Sequence, residues 1–355
     1  MLSPTSQLVL TALFPFIVTG SLLAQSTTER VFYFAHTPTE QGTREIAAAI
    51  RVIAEAQDVS ADFSAGTLSV HGTADQLELA EWLFLGMDRS VPVSLDTAVH
   101  EYRLREGPDN VVRLFYLDRG QTVRDFQEFA TLVRTIAEIR RVYPVSGSKI
   151  LAMRGTADQI SMADYFTNEL EKSAGAPHLH SMTSEYLLPA VPSPRPNENV
   201  TRILFVANSP TMQDFQEFAT LIRSITEIRR VFTYNTPKAI AVRGTTDEVA
   251  CAEWLFNEID QPRNGESSHA SAPYNYRDST TTENASSVRV FYLHHTATVQ
   301  DFQKIADTIR TATGIRRLFT YTSAHALALR ATRDQAEQAQ RLLTQLDPAD
   351  FPMAK

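Results

Sequence analysis

Paired arginines are the recurrent polar feature of the chain: Arg140-Arg141, Arg229-Arg230 and Arg316-Arg317 stand at matching places in three successive stretches. A guanidinium offers a planar fork of donors that fits a carboxylate. A repeated pair therefore suits an ion-paired contact between neighbouring modules or subunits, with Asp125, Asp214 and Asp301 as the recurrent acids. The plainer reading is a solvated strand end whose charges discourage edge pairing, because exposed ion pairs contribute little. Arg154, Arg243 and Arg330 also recur, and a local surface role is expected of them. Trp82 and Trp254 share a position at which other copies carry Tyr165 and Arg341. A place that accepts Arg is partly open, which suits core-rim packing or the covering of a neighbouring module or partner.

Other chemistry is sparse. His178 and His180 sit in a Pro-containing stretch and His294-His295 follows an apolar run, without the spaced third ligand a zinc site needs. Cys251, the single cysteine, lies between Ala250 and Ala252 and reads as a small buried filler; it excludes an internal disulfide. No nucleophile motif, phosphate loop or repeated carboxylate pair is visible, so the expectation is a non-enzymatic protein without cofactor or metal. Nucleic acid is not an expected partner. The net charge is −8, and Gly72-Thr73-Ala74-Asp75 and Gly155-Thr156-Ala157-Asp158 lack the second glycine of a K-homology GxxG loop.

With 355 residues, 43% hydrophobic, the chain is long enough for several compact domains and too apolar for general disorder. Residues Met1 to Ala24 contain no charged side chain, and the mostly apolar run from Leu8 to Leu23 is broken by Pro15 and Gly20. This predicts a signal peptide over residues 1–24, cut before Gln25, and export from the cytoplasm. No later stretch is apolar enough to span a bilayer, so no transmembrane span is expected in the mature chain.

Four segments align without a gap. They open at Arg30, Arg113, Arg202 and Arg289, each followed by an apolar run such as Val290-Phe291-Tyr292-Leu293. Thr39, Thr122, Thr211 and Thr298 come next, and Asp125, Asp214 and Asp301 complete capping boxes that start a helix; Gly42 replaces the acid in the first copy. Two short β-rich runs follow, as in Val231-Phe232-Thr233-Tyr234 and Ala239-Ile240-Ala241-Val242 around Asn235-Thr236-Pro237-Lys238, which reads as a hairpin. The second run is expected to be a half-buried strand. Thr73, Thr156, Thr245 and Thr332, with Gln76, Gln159, Glu248 and Gln335, cap a second helix that closes at Asp88, Glu171, Asp260 or Asp347.

The fold class is thus α+β: four tandem β-α-β-β-α modules, each a three-stranded sheet with two helices on one face. They cover 30–89, 112–172, 201–261 and 288–348, and each is expected to bury its apolar side privately. Pro/Ser/Thr-rich linkers cover 90–111, 173–200 and 262–287, and a tail covers 349–355. Tyrosine-centred lead-ins at Tyr102, Tyr186 and Tyr274-Asn275-Tyr276 could add an edge strand to the module that follows.

This pattern, carried by Val290-Phe291-Tyr292-Leu293, the Asp301-Phe302 helix, Ala326-Leu327-Ala328-Leu329, Ala331-Thr332 and Leu346-Asp347, resembles the KH-like periplasmic N-domain repeats of bacterial secretins. The family usually has Asn at the hairpin where Lys149, Lys238 and His325 stand, and no secretin pore domain follows here. What the resemblance implies is an exported scaffold of the cell envelope. Its modules would associate with other copies or dock onto an envelope or secretion-system protein of a secretion- or pilus-type assembly. The alternative is a soluble periplasmic binding protein for a peptide or polysaccharide.

Overall fold

A computed structural model describes residues 27–37, 39–89, 101–117, 122–173, 180–189, 197–262, 271–275, 287–294 and 298–348. The signal-peptide reading of 1–24, His178, the Pro-rich run 190–196, Tyr276, His295 and the tail 349–355 lie outside the described residues.

Module 1 runs β1 (Thr28–Tyr33), α1 (Glu40–Ala54), β2 (Asp58–Asp62), β3 (Thr67–Gly72) and α2 (Ala74–Met87). Module 2 adds a lead-in strand, β4 (Glu101–Arg103), before β5 (Val111–Tyr116), α3 (Val123–Ile136), β6 (Arg141–Val145), β7 (Ile150–Gly155) and α4 (Ala157–Ser173). In module 3, β8 (Ser181–Met182) and β9 (Tyr186–Leu187) precede β10 (Val200–Phe205), α5 (Met212–Thr226), β11 (Arg230–Tyr234), β12 (Ala239–Gly244) and α6 (Thr246–Ile259). Module 4 has β13 (Tyr274–Asn275), β14 (Ser287–Tyr292), α7 (Val299–Thr313), β15 (Arg317–Tyr321), β16 (Ala326–Ala331) and α8 (Arg333–Leu346). The architecture is four copies of one α+β unit, with antiparallel order β1-β3-β2 in the first and the hairpin's second strand central in every sheet.

The threonine caps act as their spacing requires. Thr122, Thr211 and Thr245 each accept from the amide three residues on, while the acid there accepts from the threonine's own amide, so two otherwise orphaned donors are satisfied per helix. In module 1 Thr39 accepts from Gly42, whose missing side chain leaves the reciprocal bond unmade. The opening arginine of each copy crosses to the second helix of its own module: Arg30 to Glu81 at 2.5 Å, Arg113 to Asp164, and Arg289 to Gln340 at 2.6 Å. Arg202 pairs with Glu253, its Nε 2.8 Å from Oε1. The hairpins turn through left-handed Lys149, Lys238 and His325, with Gly66 doing the same in module 1.

The expectation of private cores is overturned. Modules share their interiors in sequence order: Val112, Leu114, Val145, Ile150 and Ala152 of module 2 belong to the core of module 1. Ile203, Phe205, Tyr234, Ala239 and Ala241 of module 3 belong to that of module 2. Val288, Val290, Tyr321, Ala326 and Ala328 of module 4 complete that of module 3. Each sheet from module 2 onward is therefore buried on both faces, with its own helices below and the preceding module's helices above. Strands buried on both faces read as unbroken apolar runs. Ile150-Leu151-Ala152-Met153 is such a run, and the half-buried alternation expected of it is found only in module 1, in Thr67-Leu68-Ser69-Val70. Among the described residues no helix is long and apolar enough to cross a membrane.

Candidate functional site

The contacts that join one module to the next are laid out by strand register. In module 2, β4, β5, β7 and β6 place Tyr102, Val112, Arg154 and Arg141 in one row across the sheet. The same row is Tyr186, Thr201, Arg243 and Arg230 in module 3, and Tyr274, Val288, Arg330 and Arg317 in module 4. Side chains alternate across a strand, so every residue of a row faces the preceding module.

Two arginines of each row close on one glutamate of that module. Arg141 and Arg154 both bind Glu55, the latter at 3.2 Å. Arg230 and Arg243 bind Glu138 at 2.6 and 3.2 Å, and Arg317 and Arg330 bind Glu227, the latter at 3.2 Å. Each inner arginine also donates to a carbonyl near the end of the preceding module's first helix: Ile53 at 3.1 Å, Ile136 at 2.9 Å and Ile225 at 3.4 Å. Those carbonyls lack helical partners and carry the negative end of the helix dipole, so a cation belongs there. Burial first, and then the adjacent Arg141 or Arg230, lowers the pKa of Arg154 and Arg243, as two cations held around one carboxylate should. The glutamates occupy the left-handed region, with φ of 53° at Glu55, 57° at Glu138 and 65° at Glu227. A residue with a Cβ costs about 1–2 kcal/mol there, so the contact holds a strained backbone.

A second glutamate grips the hairpin turn of the next module. Glu45 accepts from the Gly147 amide at 3.2 Å, and Glu128 from the Asn235 amide and side chain at 3.0 and 2.7 Å. Glu217 accepts from the Thr322 amide and hydroxyl, both at 3.0 Å. Asp125 joins this grip by accepting the Thr236 hydroxyl. Burial raises its pKa, but hydrogen bonds from Thr236 and from the amide and hydroxyl of Thr122 outweigh that and leave it below the ordinary value. Its stabilisation is therefore complete above the unfolded value of about 3.9 and is lost as pH falls through the folded one. Melting temperature should drop more steeply below about pH 4 in the native chain than in Thr236→Val.

Aromatic contacts make the third element. Tyr102 packs on Trp82 at 5.7 Å, Tyr186 on Tyr165 at 5.0 Å and Tyr274 on Trp254 at 5.8 Å, each pair joining a lead-in strand to the preceding module's second helix. Phe129–Tyr234 and Phe218–Tyr321 cross the same interfaces, and the hydroxyls of Tyr116 and Tyr292 donate to the Gly86 and Glu258 carbonyls at 2.9 and 2.6 Å. At Gly86 a Cβ would lie 2.3 Å from Leu114, so glycine makes room for the next sheet.

Of the arginine pairs read from the sequence, Arg141, Arg230 and Arg317 stand in these interfaces, while Arg140, Arg229 and Arg316 are exposed beside them. Two expectations are corrected. Asp125, Asp214 and Asp301 turn back onto their own threonine caps, and the carboxylates facing the arginines are Glu55, Glu138 and Glu227. Arg154, Arg243 and Arg330 are not local surface residues: Arg330 is 5% exposed, and the other two are half-buried in the clamp. Helix pattern does not single out these glutamates, because each lies just past a helix; the signal that marks them is their fixed spacing from the opening arginines. Among the described residues no cluster of His, Cys, Asp and Glu is placed to hold a metal.

Two substitutions probe the geometry. Glu138→Gln should cost about 1 kcal/mol in urea unfolding, less at high salt, because the glutamate is half-exposed and Arg230 keeps a second partner in Glu198. Thr201→Val should stabilise by about 1 kcal/mol. Among the described residues the Thr201 hydroxyl is buried without a hydrogen-bond partner, where modules 2 and 4 carry Val112 and Val288.

No protein-family model matches the chain, and no curated protein matches it. Among solved structures it is similar to the N-terminal domain of the secretin XcpQ from Pseudomonas aeruginosa, at 13% identity and a TM-score of 0.18, over 41% of this chain and 62% of that one. It is similar to Aeromonas hydrophila ExeD at 11% identity and a TM-score of 0.15, over 91% and 42% of the two chains. It is also similar to the ETEC pilotin–secretin complex AspS–GspD at 14% and 0.16, over 68% and 39%. The chain thus spans less than two thirds of the length of each of these structures.

Proposed function

We propose that this protein is an exported, non-enzymatic scaffold of the bacterial envelope, a preassembled stack of four secretin-N-like modules that docks onto a secretion- or pilus-type assembly or associates with its own copies. The observation that carries this reading is the threefold repetition of one interface. The recurrent arginines, glutamates and aromatics are spent on holding module to module, which suits a spacer or platform rather than a reaction centre. Stacking consumes the outer sheet faces of modules 2, 3 and 4 and leaves the strand edges. In each module the order of strands ends at β2, β6, β11 or β15, so four strand edges recur where a partner or another copy could engage several at once.

The test is to express the full chain in its native host, crosslink intact envelopes, and determine the molar mass of the released protein by light scattering. A defined crosslinked envelope partner, or a mass above that of one chain, is the expected result. A strict monomer that crosslinks to nothing and binds a peptide or polysaccharide saturably would replace this reading with that of a soluble binding protein.

A further inference from the structure

We infer that both end faces of the four-module stack refuse another copy of the chain, because the inserting half of the inter-module lock is dismantled in module 1 and the receiving half in module 4. The inference goes beyond the envelope reading, since it concerns the chain's own faces whatever its partner.

The receiving half is carried by the helices of modules 1, 2 and 3 and is dismantled in module 4. The turn-gripping Glu45, Glu128 and Glu217 are followed at the fourth place by Lys304. The clamp residues Glu55, Glu138 and Glu227 are followed by Gly314, at φ 68°. Freed of the clamp, that position takes the residue its backbone prefers, whereas the three working copies keep a strained glutamate. Leu132 and Leu221, and Ile53, Ile136 and Ile225, are wholly buried; their counterparts in module 4 are exposed Thr308 and Ala312. Arg341 stands where Trp82, Tyr165 and Trp254 receive a tyrosine.

The inserting half is dismantled in module 1. The row that reads Val288, Arg330, Arg317 in module 4 is Glu29, His71, Asp58 in module 1. The next rows, Val290-Ala328-Phe319 and Tyr292-Ala326-Tyr321, become Val31-Ser69-Ser60 and Tyr33-Thr67-Asp62. Val31 and Tyr33 persist, but 42% and 73% exposed, because no other module among the described residues lies over them. His71 and Asp58 now stand where the clamp needs two arginines, with the acid Glu29 beside them, and the hydroxyl-rich centre gives a partner little apolar area to bury. Repeat arrays need such polar ends to stay finite.

Two full-length variants test this. One restores the receiving half with Lys304→Glu, Thr308→Leu, Ala312→Ile and Gly314→Glu. The other restores the inserting half with Glu29→Val, Asp58→Arg, Ser60→Phe, Asp62→Tyr, Thr67→Ala, Ser69→Ala and His71→Arg. Mixed in equal amounts, they should form a one-to-one end-to-end complex in sedimentation velocity, while each alone sediments as the native chain does. Failure to pair, with both variants melting cooperatively, would overturn the inference. Should either variant not fold, Tyr33→Glu and Lys304→Asp in the native chain decide the matter. Caps predict an unchanged mass and a melting temperature within about 2 °C of native. A fall in mass would show that an end face binds another copy and would overturn it equally.

Discussion

Ile203→Ala is expected to cost about 3 kcal/mol and to speed amide exchange in α3 of module 2 as well as in module 3, whereas Val31→Ala at the same place in module 1 should cost less than about 1 kcal/mol and stay local. Both residues lie on the face of the first strand that looks away from their own helices. Ile203 is fully buried there, in the core of module 2, and Val31 is 42% exposed. Truncation of a buried isoleucine loses its transfer free energy and leaves a cavity whose walls are largely fixed by close packing. Here the walls belong to two modules, so the loss weakens the term that couples neighbours in a one-dimensional array. A private-core arrangement predicts similar, small effects for both substitutions. Urea unfolding gives the cost, and site-resolved hydrogen exchange shows whether it crosses the interface.

The unit itself was legible because its signals are local. A threonine with an acid or amide three residues on starts a helix through bonds closed within one turn, and the repetition of that spacing marks the second helix of every copy and the first helix of all but module 1, where Gly42 stands. The use of the tyrosine lead-ins as edge strands was readable for the same reason, since β4 lies only a short loop ahead of β5. What lay above each sheet was not read, although composition recorded it. Ala152, Ala241 and Ala328 are apolar on a face that Ser69 leaves polar in module 1, so the contrast between copies marked the covered faces. The arginine pairs stand out in the sequence, and their glutamate partners do not. Sequence pattern favours an acid that recurs inside a helix, such as Asp125, over one in a left-handed residue past its end, such as Glu138, whose placement depends on backbone geometry.

Asp260→Asn should destabilise the chain by about 2–3 kcal/mol, from the acid that ends module 3 and looks at first like a surface residue. Its carboxylate is 2% exposed and accepts the amides of Ala207 and Asn208 at 2.9 and 2.6 Å, while its own amide bonds the Phe256 carbonyl at 3.0 Å. One side chain thus ties the end of the second helix to the end of the first strand and closes the unit on itself. Asp88 does the same for Ala35 and His36 at 2.7 and 3.0 Å, and Asp347 for His294 at 2.6 Å. An amide in place of the carboxylate keeps one acceptor but presents N–H to N–H at the other, so a buried donor loses its partner and the charge assistance disappears. Asp260 carries one contact more: His180 Nδ1 lies 2.8 Å from it, with the ring stacked on Phe256 at 4.1 Å. That contact docks the segment that continues into β8, so the asparagine variant should also shift the His180 ring resonances and the Ser181–Met182 amides. Asp88→Asn in module 1 is the control: a comparable cost with His180 undisturbed assigns the common part to closing the unit. If Asp260→Asn were neutral while β8 stayed docked, the closing acids would be ornaments of the repeat rather than its fastening.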